Sequence, residues 1–147
     1  MMSLVGKALR ASIVVAIAGL FGIGGAAAQS GNPIKVGAGL ALTGGSAPAG
    51  TMLQAAIELR RDDVNAKGGL LGRKVELIAY DDQSNGANTP GIYTKLLDVD
   101  KVDLLIAPYA TNVTAPIMPL VKERQKLLMG NFSFQVNAKV QHDMWFN

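Results

Sequence analysis

From residue 34 onward, short apolar runs alternate with longer stretches in which apolar residues recur every three or four positions. Residues 34–40 (Ile-Lys-Val-Gly-Ala-Gly-Leu) read as a strand with small residues on one face, which permits close packing. Over residues 50–66, Leu53, Ala56, Ile57, the Arg60 stem and Val64 recur at helical spacing while Glu58, Arg61, Asp62 and Asn65 fall elsewhere, predicting an amphipathic helix. Gly68-Gly69 ends it, since glycine accepts the left-handed conformation that closes a helix. A second strand follows over 74–80, then a polar loop over 81–88 and a helix capped by Thr89, with Pro90 in its first turn, running to Asp98. Residues 102–107 form a third strand, apolar nearly throughout, as suits a parallel strand buried between helices on both faces. A third helix is expected over 111–125, its start left open by Pro116 and Pro119, and a fourth strand over 127–129. Residues 130–147 have no clear period.

Strands alternating with helices through short loops predict an α/β fold, a doubly wound parallel sheet built by right-handed crossovers. Ligands of such sheets sit at the carboxyl ends of the strands. The candidate site loops are therefore 41–50, 81–88, 108–114 and 131–137.

The N-terminal stretch changes the picture of where the protein works. Lys7 and Arg10 precede an apolar run over 11–23, and Ala26-Ala27-Ala28 supplies small residues before Gln29. That is the pattern of a secretory signal peptide cleaved after Ala28, too short and too glycine-interrupted for a membrane anchor. The chain of 147 residues has no cysteine, so neither a lipid-modified cysteine nor disulfides are available, and residues 29–147 must rely on a packed core. They suffice for one lobe and not for two. Without Lys7 and Arg10 the formal charge of +3 falls to about +1. No block of Lys and Arg is interleaved with aromatics, which argues against nucleic acid as a partner. Arg60-Arg61-Asp62-Asp63 reads as a solvated helix face.

Candidate chemistry is sparse. Thr43-Gly44-Gly45-Ser46 resembles a phosphate cradle but lacks the lysine and glycine spacing of nucleotide loops, which leaves a small-ligand or structural loop. Asp81-Asp82 has no His or third carboxylate at ligand spacing, so it reads as a pair that caps the next turn rather than as a metal or acid–base site. Ser84 and Thr111 have no base to activate them, because the single histidine, His142, lies in the aperiodic tail and is expected at the surface. No catalytic residue, metal site or cofactor is expected. Where the third strand enters the third helix, Ala110, Thr111 and Asn112 offer a hydroxyl and free amides to a carboxylate, or equally a self-capping helix start. After the fourth strand, Phe132, Ser133 and Phe134 place two aromatics at alternating positions around a hydroxyl, to line an apolar pocket or to pack under further protein. Met144-Trp145-Phe146 reads as core of a longer chain.

Ile34-Lys35-Val36-Gly37, Leu42-Thr43-Gly44, Asn65-Ala66-Lys67-Gly68-Gly69, Leu71-Gly72-Arg73-Lys74-Val75-Glu76-Leu77 and Asp81-Asp82-Gln83-Ser84 together resemble the N-lobe signature of branched-chain (Leu/Ile/Val-binding) periplasmic substrate-binding proteins of ABC importers. The resemblance covers residues 34–134. It implies a type I periplasmic-binding-protein N-lobe with the second lobe absent. It also implies a protein free in the periplasm that closes over a small ligand, an amino acid or an aromatic or aliphatic carboxylate, and hands it to an ABC permease without chemistry. In amino-acid-binding relatives a hydroxyl after the third strand, here Thr111, holds the ligand carboxylate. A carbonyl and a threonine after the fourth strand, falling near Phe132 and Phe134, hold the amino group, and an aromatic of the glycine loop falls near Ala49. This chain departs from that pattern at Phe132, Phe134 and Ala49. A one-residue shift would bring Ser133 to the hydroxyl position, and two phenylalanines suit an apolar or aromatic acid better than an α-amino acid. The rival implied by the same lobe is the ligand-sensing domain of an extracellular receptor.

Overall fold

The computed structural model describes residues 31–147; the expected signal peptide lies outside the described residues. The strands are β1 (Ile34–Leu40), β2 (Val75–Asp81), β3 (Leu104–Ile106), β4 (Leu128–Met129) and β5 (Trp145–Phe146). Between them lie α1 (Ala47–Ala66), α2 (Thr89–Asp98), α3 (Thr111–Thr114), a 3-10 turn (Ala115–Ile117), α4 (Met118–Glu123) and α5 (Asn137–Val140). All the strand pairings are parallel, and the sheet runs in the order β2-β1-β3-β4-β5. That order reverses direction between β1 and β3, and a crevice opens at such a reversal, outside the carboxyl ends of the strands.

Local sequence explains the joints. The Asn65 side chain near the end of α1 behaves as a piece of strand. Its amide nitrogen donates to the Val75 carbonyl (2.9 Å) and its oxygen accepts the Val75 N–H (2.8 Å), fixing the start of β2 against the helix. At the other end of α1, a Cβ on Gly50 would fall inside the Ala41 carbonyl, so only glycine lets the helix approach β1 this closely. The helix predicted over 111–125 is broken into α3, the 3-10 turn and α4, with Pro116 and Pro119 each in the first turn of a new segment. Proline lacks the N–H that would carry a continuous helix through.

The core lies on the α2 side of the sheet, where Tyr93, Leu96, Leu105, Ile117, Val121 and Leu128 are buried together. The opposite face is covered unevenly. There α1 packs mainly on β1 and β2, leaving an apolar groove of about 400 Å³ between Ile57 and Val64 of the helix and Val36, Leu104, Ile106 and Met129 of the sheet. The expectation of a third strand buried on both faces is thereby corrected, since Leu104 and Ile106 are only half-buried. The stems of Arg60 and Arg61 reach the groove's rim, while their charges pair with Asp63 and Asp62 at 2.8 Å in the solvated face expected.

Residues 130–147 hold more structure than their sequence announces. They add α5 and the edge strand β5, whose Trp145 packs against the core. His142, expected at the surface, is 3% exposed. Its Nε2 lies 2.7 Å from the Lys126 carbonyl, and its backbone N–H and C=O are both held by the Asn137 side chain (2.7 and 3.0 Å). It is a structural tie between α5 and the approach to β4.

Candidate functional site

Beneath the point where the sheet order reverses lies buried Tyr93, which no local sequence pattern singles out. The register Ala38↔Ile106 would carry the β1–β3 ladder on to a bond from the Gly39 N–H to the Ile106 carbonyl. The Tyr93 hydroxyl reaches both of these groups at the end of the ladder: it accepts from Gly39 N (3.2 Å) and donates to Ile106 O. Glycine at 39 makes room, because a Cβ there would meet the Tyr93 ring at 3.0 Å. Burial pushes the phenol far above its ordinary pKa; the Gly39 amide opposes this and the nearby Asp82 adds to it, so the hydroxyl remains a donor throughout the working pH range.

The loops after β1 and β2 are cross-braced. Asp81 Oδ1 accepts from the amides of Leu42 (3.0 Å), Thr43 (3.2 Å) and Gln83 (2.8 Å), and its Oδ2 accepts from the Thr43 hydroxyl (2.7 Å). Burial alone would raise its pKa; the Thr43 hydroxyl and these amides outweigh it and hold the carboxyl below its ordinary value. The Ser84 hydroxyl donates to the Thr43 carbonyl (2.7 Å) and accepts from Ser46 N (3.0 Å). Gly44 has φ +81°, and a Cβ there would lie 2.6 Å from the Gln83 carbonyl. Asp82 is fully buried; Oδ1 accepts from Ser84 N (2.7 Å) and Oδ2 has no hydrogen-bond partner. Burial raises its pKa, against the Ser84 amide and with the neighbouring Asp81 charge. The glycine loop and the aspartate pair are thus occupied with holding their own backbone, and among the described residues no group of three or more His, Cys, Asp or Glu could hold a metal.

The open chemistry lies after β3 and β4. Ala110 adopts φ +89°, ψ +155°, a region that non-glycine residues enter at a cost of roughly 1–3 kcal/mol. Buried Thr114 holds it there. Its N–H donates to the Ala110 carbonyl (3.1 Å), and its hydroxyl sits between the Ala110 (2.8 Å) and Pro108 (3.0 Å) carbonyls in a three-centre bond. The turn at Ala110 reverses the chain between Tyr109 and Thr111. The Thr111 hydroxyl accepts the Phe134 N–H (3.0 Å), which leaves its own proton to donate. The Tyr109 and Phe132 rings stack at 5.5 Å and 10°, and Phe134 meets Phe132 edge-on at 5.0 Å and 75°. Phe132 and Phe134 are 51% and 66% exposed, while Ser133 between them is 3% exposed with its hydroxyl unpartnered. The sequence-predicted residues therefore divide. Ala110, Thr111, Phe132 and Phe134 come together; Ser133 turns inward; Asn112 is exposed, its backbone carbonyl against Gly86 of the neighbouring loop. Because α3 is a single turn running into a 3-10 turn, the helix-amide contribution expected at Thr111 is reduced to that one turn. Tyr109 completes the ring cluster, and its place one residue before Ala110 was the available signal.

Comparison with known proteins agrees with this architecture. A family model described as periplasmic binding protein matches residues 33–147. Leu/Ile/Val-binding protein homolog 2 of Brucella abortus is 28% identical over 96 residues, which cover 65% of this chain and 26% of that protein. Among solved structures, the branched-chain amino acid transporter substrate-binding protein LivJ from Streptococcus pneumoniae, in complex with isoleucine, matches with TM-score 0.72 and 26% identity over 78% of this chain and 33% of that one. A periplasmic binding protein type 1 from Bordetella pertussis matches with TM-score 0.63 and 30% identity over 66% of this chain and 26% of that one. The chain thus spans about a quarter to a third of the length of these relatives. With the parallel order β2-β1-β3-β4-β5, the crevice over Tyr93 and a family match across residues 33–147, the chain belongs to the periplasmic binding proteins.

Proposed function

We propose that this chain is the ligand-recognition lobe of an exported solute-binding component of an ABC importer, taking an amino acid or a related small carboxylate. The observation that carries the reading is the meeting of the Thr111 hydroxyl with the exposed rings of Phe132 and Phe134 at the carboxyl ends of β3 and β4. One polar donor beside apolar surface at the carboxyl ends of adjacent parallel strands is the composition of a small-ligand site. The relatives support the transport reading: one is a Leu/Ile/Val-binding protein homolog and another a substrate-binding protein holding isoleucine. The signal-peptide pattern of residues 1–28 supports release into the periplasm. A permease in the inner membrane is the partner that this reading requires, and recognition proceeds without covalent chemistry.

Calorimetric titration of the purified chain against branched-chain and aromatic amino and carboxylic acids tests the reading. A hydrogen bond to a charged group contributes about 1.5–3 kcal/mol, so Thr111→Ala should weaken carboxylate binding by roughly tenfold or more. Saturable binding that Thr111→Ala leaves untouched would remove Thr111 from the site.

A further inference from the structure

We propose that Asn85 is a site of spontaneous covalent modification, losing its amide to become aspartate and isoaspartate, and that the conversion loosens the join between the loop after β2 and α3. Three features meet there. The first is the residue that follows. Of the eight asparagines in the chain, Asn85 alone precedes a glycine. A main-chain nitrogen reaches the carboxamide of the preceding asparagine most readily when its own residue has no Cβ to crowd the approach. Asn32 precedes Pro33, which has no N–H to lose, and Asn112 and Asn131 precede the bulky Val113 and Phe132.

The second is the state of the reacting groups. Asn85 is exposed, and neither its Nδ2 nor the Gly86 N–H makes a hydrogen bond among the described residues. Asn85 Oδ1 accepts the Ala87 N–H (3.0 Å), an exposed bond that closes a ring of atoms containing both Asn85 Cγ and the Gly86 nitrogen. Other asparagines are tied down. Asn65 commits both side-chain atoms to Val75 and Asn137 both to His142, while Asn88 and Asn131 commit Nδ2 to the Asp82 (3.2 Å) and Ala107 (2.6 Å) carbonyls.

The third is the lack of slack in the product. A Cβ on Gly86 would stand 2.5 Å from the Asn112 carbonyl, the Gly86 carbonyl accepts the Thr89 hydroxyl (3.0 Å), and the Asn85 carbonyl accepts the Asn88 N–H (3.1 Å). The reaction needs only water as co-reactant. Hydroxide takes the Gly86 amide proton, the nitrogen bonds to Asn85 Cγ, and the Cγ–Nδ2 bond breaks as Nδ2 takes a proton from water and leaves as ammonia. Water then opens the cyclic imide. Cleavage of the new Cγ–N bond gives aspartate. Cleavage of the original C–N bond gives isoaspartate, whose main chain runs through the side chain and is one carbon longer, with the former carbonyl left as a pendant carboxylate. That extra carbon displaces Gly86 from the place its contacts with Asn112 and Thr89 require, and either product adds a negative charge to the loop that carries Asp81 and Asp82.

The full chain, aged at mildly alkaline pH, is sampled over time and digested; each asparagine peptide is read by mass spectrometry, with isoaspartate marked by isoaspartyl methyltransferase. Asn85 should convert ahead of the other seven, at a rate proportional to hydroxide concentration, and give both products. Converted and fresh chains, separated by charge on an ion-exchange column, should differ by about 3–6 °C in melting temperature, the shift that loss of about one hydrogen bond brings to a lobe of this size. Asn85→Ser keeps an oxygen for the Ala87 N–H but has no carboxamide to attack, and should stay uniform in charge over the same period. An Asn85 amide that lasts as long as those of Asn88 and Asn131 overturns the site, as does a charge change of equal pace in Asn85→Ser. A converted chain that melts with the fresh one overturns the structural consequence.

Discussion

Replacing Tyr93 by Phe removes one oxygen from the middle of the protein and tests what its hydroxyl contributes to the junction of β1 and β3. The ring is fully buried and Phe occupies the same space, so packing is preserved. The Gly39 N–H and the Ile106 carbonyl lose their partner. A buried backbone group left unsatisfied costs about 1–3 kcal/mol, so two of them set an expected loss of about 2–6 kcal/mol if neither finds a new partner. Urea unfolding measures this as a lower midpoint at constant slope, and amide exchange at Gly39 should accelerate in step. Should the variant lose less than about 0.5 kcal/mol while the Gly39 amide stays equally protected, the two groups would be satisfied by pairing with each other, and the hydroxyl would not be what holds them.

Gly50→Ala should destabilise by about 1–3 kcal/mol, since its Cβ would collide with the Ala41 backbone, and a scanning calorimeter would register the lower melting temperature. Asp81 has a folded-state pKa below its ordinary value, so its stabilisation is complete above the unfolded-state pKa and lost as pH falls through the folded one; Asp81→Asn should flatten the acid limb of a stability–pH curve and lower its neutral plateau. Asp82 runs the other way. Its raised pKa means the native state gives up stability as pH rises from the unfolded to the folded value, and Asp82→Asn should erase that decline in the same titration. Asn65→Ala should cost about 1 kcal/mol by chemical denaturation, because both backbone groups of Val75 lose a part-buried partner.

The elements near the start of the fold were legible because their patterns are long or punctuated. β1 matches its predicted span, and α1 ends where Gly68-Gly69 requires. Its start came three residues early because Ala47 and Pro48 suit a first helical turn and carry no apolar period of their own. β4 and β5 have two residues each, too few to display alternation, and only tertiary pairing makes them strands. Burial of His142 likewise arises from closure of residues 137–142 onto Lys126, a contact no local pattern encodes. After β4, alternation over 132–134 anticipated two rings outward and a serine between. What local pattern could not supply was the non-glycine turn at Ala110 and the hydroxyl of Tyr93 inside a β ladder. The traces of the latter were two glycines in β1 opposite a helix bearing one tyrosine.

The groove beside α1 bears on the lobe's heat capacity. About 400 Å³ lined by Val36, Leu104, Ile106 and Met129 is left uncovered in this fold, so unfolding exposes less new apolar surface than for a sheet covered on both faces. The stability curve of this lobe should therefore be flatter and its denaturant slope shallower than chain length alone implies. Each square ångström of that face withdrawn from water by a body that seats there adds about 25 cal/mol, and the increment vanishes when the lobe unfolds. The melting temperature of this lobe is then linked to occupancy of that face, and rises with the concentration of whatever covers it.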